Sequence, residues 1–146
     1  MILELVALGC AGLFAGAAIY ITLVEHPARL ECGAAPAIAE FGPSYRRAAV
    51  MQASLAVVGC LAAVAAWAQG SSTAVLVAGL LLGAVVPFTL IVIRPTNERL
   101  LDAGLDRNSP EAAALLARWG RLHAVRSVVS GVAFLLLGLH CSGILE

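Results

Sequence analysis

The sequence predicts an all-α protein, a transmembrane bundle of four helices with both termini on the outer side. Three observations predict it. Of 146 residues, 61% are hydrophobic and 12% charged, with a mean hydropathy of +0.95, far outside the balance of a water-soluble domain. Four apolar runs, roughly residues 5–24, 48–68, 73–93 and 127–145, each approach the about 20 residues that a helix needs to cross a bilayer. All nine basic residues are arginines, and each falls in or beside the link between runs one and two (Arg29, Arg46, Arg47) or runs three and four (Arg94, Arg99, Arg107, Arg118, Arg121, Arg126). The opposite side has Glu4 and Glu146 and nothing basic.

Basic residues collect on the cytoplasmic side of membrane proteins. The two arginine-bearing links are therefore expected in the cytoplasm and the termini outside, as in a bacterial inner (cytoplasmic) membrane. The lipid bilayer is the first partner. The spans use most of the chain, which leaves one integral membrane domain over residues 1–146. Acidic residues interleave with the arginines, so nucleic acid is not an expected partner. Nothing in the sequence signals an oligomeric state.

Each helix has its own signals. Helix 1, about residues 5–26, lacks a basic start and reaches spanning length, so it is expected to stay as a span rather than be removed as a signal. Its Gly12 and Gly16 have the small-xxx-small spacing that lets helices approach closely in lipid. The link that follows contains Gly33, Pro36, Gly42 and Pro43, with a short helix expected from Pro36 that buries Ile38 and Phe41. Helix 2 is expected over about 46–68. Helix 3, about 73–103, repeats the glycine spacing at Gly79 and Gly83. It also contains Pro87, which removes a backbone donor and should kink the span. Gly104 is placed to end this helix. Helix 4, about 110–145, opens with Ser109 as N-cap and Pro110 in its first turn. Cys10, Cys32, Cys60 and Cys141 form no CxxC pair and read as packing residues.

Polar chemistry gathers at the arginine-bearing ends. Helix 1 leaves through Glu25, His26 and Pro27. Helix 2 opens with Tyr45, Arg46 and Arg47 and carries Gln52 one turn into its apolar run. Helix 3 leaves through Arg94, Pro95, Thr96, Asn97, Glu98 and Arg99. Trp119, His123 and Arg126, spaced by four and three residues, share a face of helix 4. Taken singly these residues have plain explanations. Arginines and a tryptophan suit any membrane interface, and Glu25 or Glu98 could pair with Arg29, Arg94 or Arg99 to close the mouth. Together they bring two imidazoles, from the first and last helices, to one level, where ionisable groups turn inward rather than face lipid.

The runs Glu25-His26-Pro27-Ala28-Arg29, Tyr45-Arg46-Arg47-Ala48, Pro87-Phe88, Pro95-Thr96-Asn97-Glu98-Arg99-Leu100, and Trp119 with His123 and Arg126 together resemble the anthrone oxygenase-like family. The resemblance covers nearly the whole chain, and its most specific part is the Pro-Thr-Asn run followed by Trp, His and Arg. It implies a small four-helix membrane protein, from a family largely of unknown function. Its characterised fungal relatives imply oxidation of an anthrone to an anthraquinone by molecular oxygen, without a cofactor. On this reading His26, His123, Arg126 and Asn97 are catalytic, and Trp119, Tyr45 and Gln52 bind an apolar aromatic small molecule. Histidine suits the base that makes an anthrolate, and Arg, Asn and Tyr suit the developing oxyanion.

Two other readings stay open. A non-enzymatic membrane partner or structural subunit would show no pocket, or a mouth sealed by Arg–Glu pairs. A metal site would use His26 and His123 with Glu98, or Glu25, supplying oxygen, a donor set suited to zinc or non-haem iron. A transporter is disfavoured, because the midplane lacks ionisable residues.

Overall fold

A computed structural model describes residues 1–145. Glu146, counted above with the acidic side, lies outside the described residues. Four helical rods, α1 (Ile2–Glu31), α2 (Ala34–Ala68), α3 (Thr73–Leu101) and α4 (Pro110–Cys141), are each long and apolar enough to cross a membrane. The described residues contain no strand. The rods run up and down around a square: each packs on its chain neighbours, α4 closes against α1, and α1 and α3 lie on a diagonal. At about 1.5 Å per residue, each rod outruns the roughly 30 Å hydrocarbon core, so polar residues can extend the bundle beyond lipid.

One end joins both termini to the α2–α3 link. Ser71 Oγ donates to Glu4 Oε1 at 2.7 Å, and His140 Nε2 lies 3.7 Å from the same oxygen. Above it, the core consists of small residues, with Ala7, Ala11, Ala56, Ala63, Ala78 and Ala133 buried around Leu82 and Leu137. A methyl added at Gly79 would stand 2.3 Å from Ala63 Cβ, and one at Gly83 would stand 2.7 Å from Cys60 Sγ. The helix 3 glycine pair thus sets the α2–α3 spacing. The helix 1 pair is divided: Gly12 meets the Phe134 ring, whereas Gly16 faces open space.

The arginine end has a second core, built from larger side chains: Ile38, Phe41, Ile93, Leu100, Leu116 and Trp119. Here α2 starts well before the apolar run, at Ala34 after Gly33 in a left-handed conformation (φ 94°). Pro36 falls near its start, where a missing N–H removes little. Pro43 gives up one helical hydrogen bond, offset by the burial of Ile38 and Phe41 on the same rod. Ser109 caps α4, accepting the Ala112 N–H at 3.1 Å. Helix α3 ends at Leu101. Asp102 turns to extended backbone and its Oδ1 accepts the Gly104 N–H at 2.9 Å, so Gly104 serves a side-chain turn rather than a left-handed helix cap.

Both diagonal helices widen at matching places. Ile21–Glu25 of α1 and Thr89–Ile93 of α3 are π-helical. The His26 N–H bonds Ile21 O and the Arg94 N–H bonds Thr89 O, each five residues back. In both cases a proline, Pro27 or Pro95, comes next. A proline ring clashes with the carbonyl four residues before it and offers no donor. A wider turn ahead of it relieves the clash and keeps the rod continuous.

Candidate functional site

The four helices enclose a cavity of about 140 Å³ at the arginine end. Helix α1 contributes Phe14, Ile21, Glu25 and Arg29, α2 contributes Phe41, Ser44, Tyr45 and Gln52, α3 contributes Val85 and Thr89, and α4 contributes Trp119, His123 and Arg126. The π-helical turns place Ile21, Glu25, Thr89 and Leu90 on its wall. Most of the wall is apolar. The polar groups therefore stand out by position rather than number.

Trp119 is the hub. The His123 ring stacks on it at 4.7 Å between centroids and 25° between planes, and His26 approaches it at 5.1 Å. Phe41 meets it edge-on at 5.3 Å and is itself stacked with Tyr45 at 5.6 Å. The Arg29 guanidinium lies 5.8 Å from the Trp119 ring, a cation–π separation. Aromatic rings with restricted rotamers make a stiff wall. It holds both imidazoles.

Arg126 donates through Nη2 to Gln52 Oε1 at 2.6 Å and lies 5.3 Å from the Phe14 ring. Accepting from a guanidinium fixes which end of the Gln52 amide faces it, and leaves the Gln52 Nε2 donors buried without a partner. Arg126 Nε is likewise buried and unpaired. Among the described residues Arg126 meets no carboxylate. Arg29 is the opposite case: it pairs with Glu25 and, at 2.6 Å, with Glu40, while Ser44 Oγ donates to Glu25 at 3.2 Å. One guanidinium is neutralised; the other faces the cavity with donors to spare.

Five of the seven residues singled out from sequence line the cavity: Tyr45, Gln52, Trp119, His123 and Arg126. Two do not. His26 is buried behind Trp119, its Nε2 only 2.6 Å from where a Gly120 methyl would be. The missing side chain at Gly120 makes room for that ring. Asn97 is buried with Thr96 and Leu100 at the end of α3, its Oδ1 unpaired, and does not reach the wall. Glu98 is exposed and paired with Arg94 at 2.7 Å, so it does not join His26 and His123. No group of three metal-capable side chains forms among the described residues.

A profile of the family described as anthrone oxygenase matches residues 41–136. The chain belongs to this family. No curated protein and no solved structure matches it. The family match spans most of α2, all of α3 and most of α4, and so covers every cavity residue except those of α1. Thr22, Ser127, Phe14 and Gly120 went unnoticed in the sequence. A helical spacing could have found one of them, Ser127, four residues after His123; Thr22 lies within a π-helical turn and bonds across to His123 and Ser127.

Proposed function

We propose that this family member is a membrane-embedded oxygenase that uses molecular oxygen, without a cofactor, to oxidise an anthrone-type or phenolic aromatic in the cavity beneath Trp119. The observation that carries this is Arg126, a cation without a carboxylate, beside His123 in a mostly apolar chamber. Leaving a buried cation unpaired is costly, and the cost is recovered when an anion forms next to it. An anthrone becomes such an anion on losing one proton to His123. The anthrolate passes an electron to oxygen, which is otherwise sluggish toward closed-shell organics. Carbon–oxygen bonding then gives a hydroperoxide, and O–O cleavage releases water. The balance is one anthrone plus one O₂ to one anthraquinone plus one water. One oxygen atom ends in the new carbonyl.

His26, on this reading, braces Trp119 rather than touching substrate, and Asn97 supports the end of α3. Tyr45 and Gln52 line the substrate's polar edge. Arg29, clamped by Glu25 and Glu40, closes the polar mouth, the feature that a non-enzymatic subunit would also have. A flat apolar substrate then enters from lipid between α2 and α3, where Ala53 and Leu90 are both cavity-lining and exposed. The arginine-bearing links face the cytoplasm of a bacterial inner membrane.

Purified protein in detergent, given an anthrone under air, tests the reaction. Quinone should form faster than by spontaneous oxidation and carry one atom from labelled O₂. No acceleration across several aromatics would favour the non-enzymatic reading, and turnover lost to a chelator would favour a metal.

A further inference from the structure

We propose that Thr22 and Ser127 fix His123 with its proton on Nδ1, which leaves Nε2 as the acceptor for a weakly acidic proton of a molecule in the cavity. The choice of Nε2 as proton acceptor rests on the reading of His123 as a base; the hydrogen-bond direction does not.

The direction follows from the end of the chain. Ser127 Oγ lies 2.9 Å from the backbone carbonyl of Ala18. A carbonyl only accepts, so the single Ser127 hydrogen is committed there. Thr22 Oγ1 lies 2.7 Å from Ser127 Oγ, and with that hydrogen committed Thr22 must be the donor. Its own hydrogen is then used, yet His123 Nδ1 stands 3.1 Å from the same oxygen. The hydrogen between them must come from the ring. The reverse polarity would press Ser127 Oγ against the Ala18 oxygen with no hydrogen between them, in a site where Ser127 is 7% exposed. Unmade polar contacts of this kind are expensive when buried.

A neutral imidazole holding its proton on Nδ1 has its lone pair on Nε2. That nitrogen is bonded to no protein group among the described residues, and the ring lines the cavity. The relay also ties α1 to α4. Ala18 and Thr22 lie four apart on one helix, and His123 and Ser127 four apart on the other, so each pair shares a face. Thr22 and Ser127 are positioning residues. They touch the base, not the substrate.

Ring-¹⁵N histidine labelling of the full chain in detergent reads the tautomer directly, with His123→Gln identifying the signals that belong to this ring. The expected result is a protonated Nδ1 and an unprotonated Nε2 in the wild type. Thr22→Val should abolish that fixed tautomer and Thr22→Ser should restore it. Thr22→Val should also lower kcat for an anthrone by roughly 10–100-fold, the scale seen when an orienting partner of a functional histidine is removed, with KM little changed. A wild-type ring carrying its proton on Nε2 overturns the proposal, whether or not any variant folds. So does a Thr22→Val protein with the Nδ1–H signature unaltered. If the wild-type tautomer is as expected but no aromatic is oxidised, the relay stands and the oxygenase reading falls.

Discussion

Helices α2 and α3 meet twice, on opposite terms. Toward the termini, Gly79 and Gly83 let α3 press against Ala63 and Cys60 so closely that not one methyl could be added at either glycine without a shift. Toward the arginines, the same two helices stand apart around a cavity bordered by Gln52 on one and Thr89 on the other. Residue size accounts for part of the change, since alanine and glycine give way to Phe41, Tyr45 and Trp119. The π-helical turn accounts for another part. Thr89–Ile93 lies on the cavity wall, and its twin Ile21–Glu25 lies across the diagonal. Close packing in lipid rests on small residues; a chamber in the same bundle needs larger ones held off by locally wider helix turns.

If the open end is for chemistry and the tight end for stability, mutations at the two should separate. The largest effect is expected from His123→Ala. It should lower anthrone turnover by about 10²–10⁴-fold, the usual contribution of a positioned general base, while thermal unfolding in detergent stays cooperative. Equal losses of turnover and of folded protein would make the open end structural like the other.

Arg126→Met sharpens the contrast, because its two effects differ in size. Turnover should fall by roughly 10²–10³-fold, as when a donor to a developing oxyanion is lost. Stability should change little, since removing a cation with no carboxylate partner offsets leaving the buried Gln52 Oε1 without its donor. A destabilised variant with normal turnover would mean that the guanidinium mainly ties α4 to α2 through Gln52.

How much of this was legible depended on depth versus angle. Depth along the membrane normal is written in the sequence, because each span must be apolar for a fixed length, and so the level shared by His26, Tyr45, Gln52, Trp119 and His123 could be read. Angle around the bundle is harder. A π-helical turn carries one extra residue, which rotates everything beyond it by about 100° relative to an unbroken α-helix. His26 and Asn97 both lie past such a turn, and they are the two residues that do not line the cavity. Trp119, His123 and Arg126 lie on an uninterrupted rod, and the face they share followed from spacing alone. Thr22 and Ser127 gave little signal because hydroxyl side chains are easily absorbed by their own helix's carbonyls.

At the tight end, Gly79→Ala should cost about 1–3 kcal/mol, the range for overpacking a filled core, read as a lower unfolding temperature in detergent. KM for an anthrone should not move. The matched change at the open end is Gly120→Ala, where the new methyl meets His26 Nε2 at 2.6 Å. There the stability loss should be smaller, since a side chain can yield more readily than a helix backbone, but turnover should fall as Trp119 shifts. Similar behaviour of the two variants would erase the distinction between the ends.

The smallest effect is expected from Gly16→Ala. Gly16 belongs to the same glycine spacing as Gly12, yet an added methyl would find nothing within 4 Å. Only the intrinsic preference of alanine over glycine in a helix then remains, a gain of about 0.5–1 kcal/mol. The thermal midpoint should therefore rise slightly or stay unchanged, against the fall expected for Gly79→Ala. A marked loss instead would mean that Gly16 is covered by something outside the single chain, and a second copy of the protein packed on α1 would be the first occupant to test by crosslinking in native membranes.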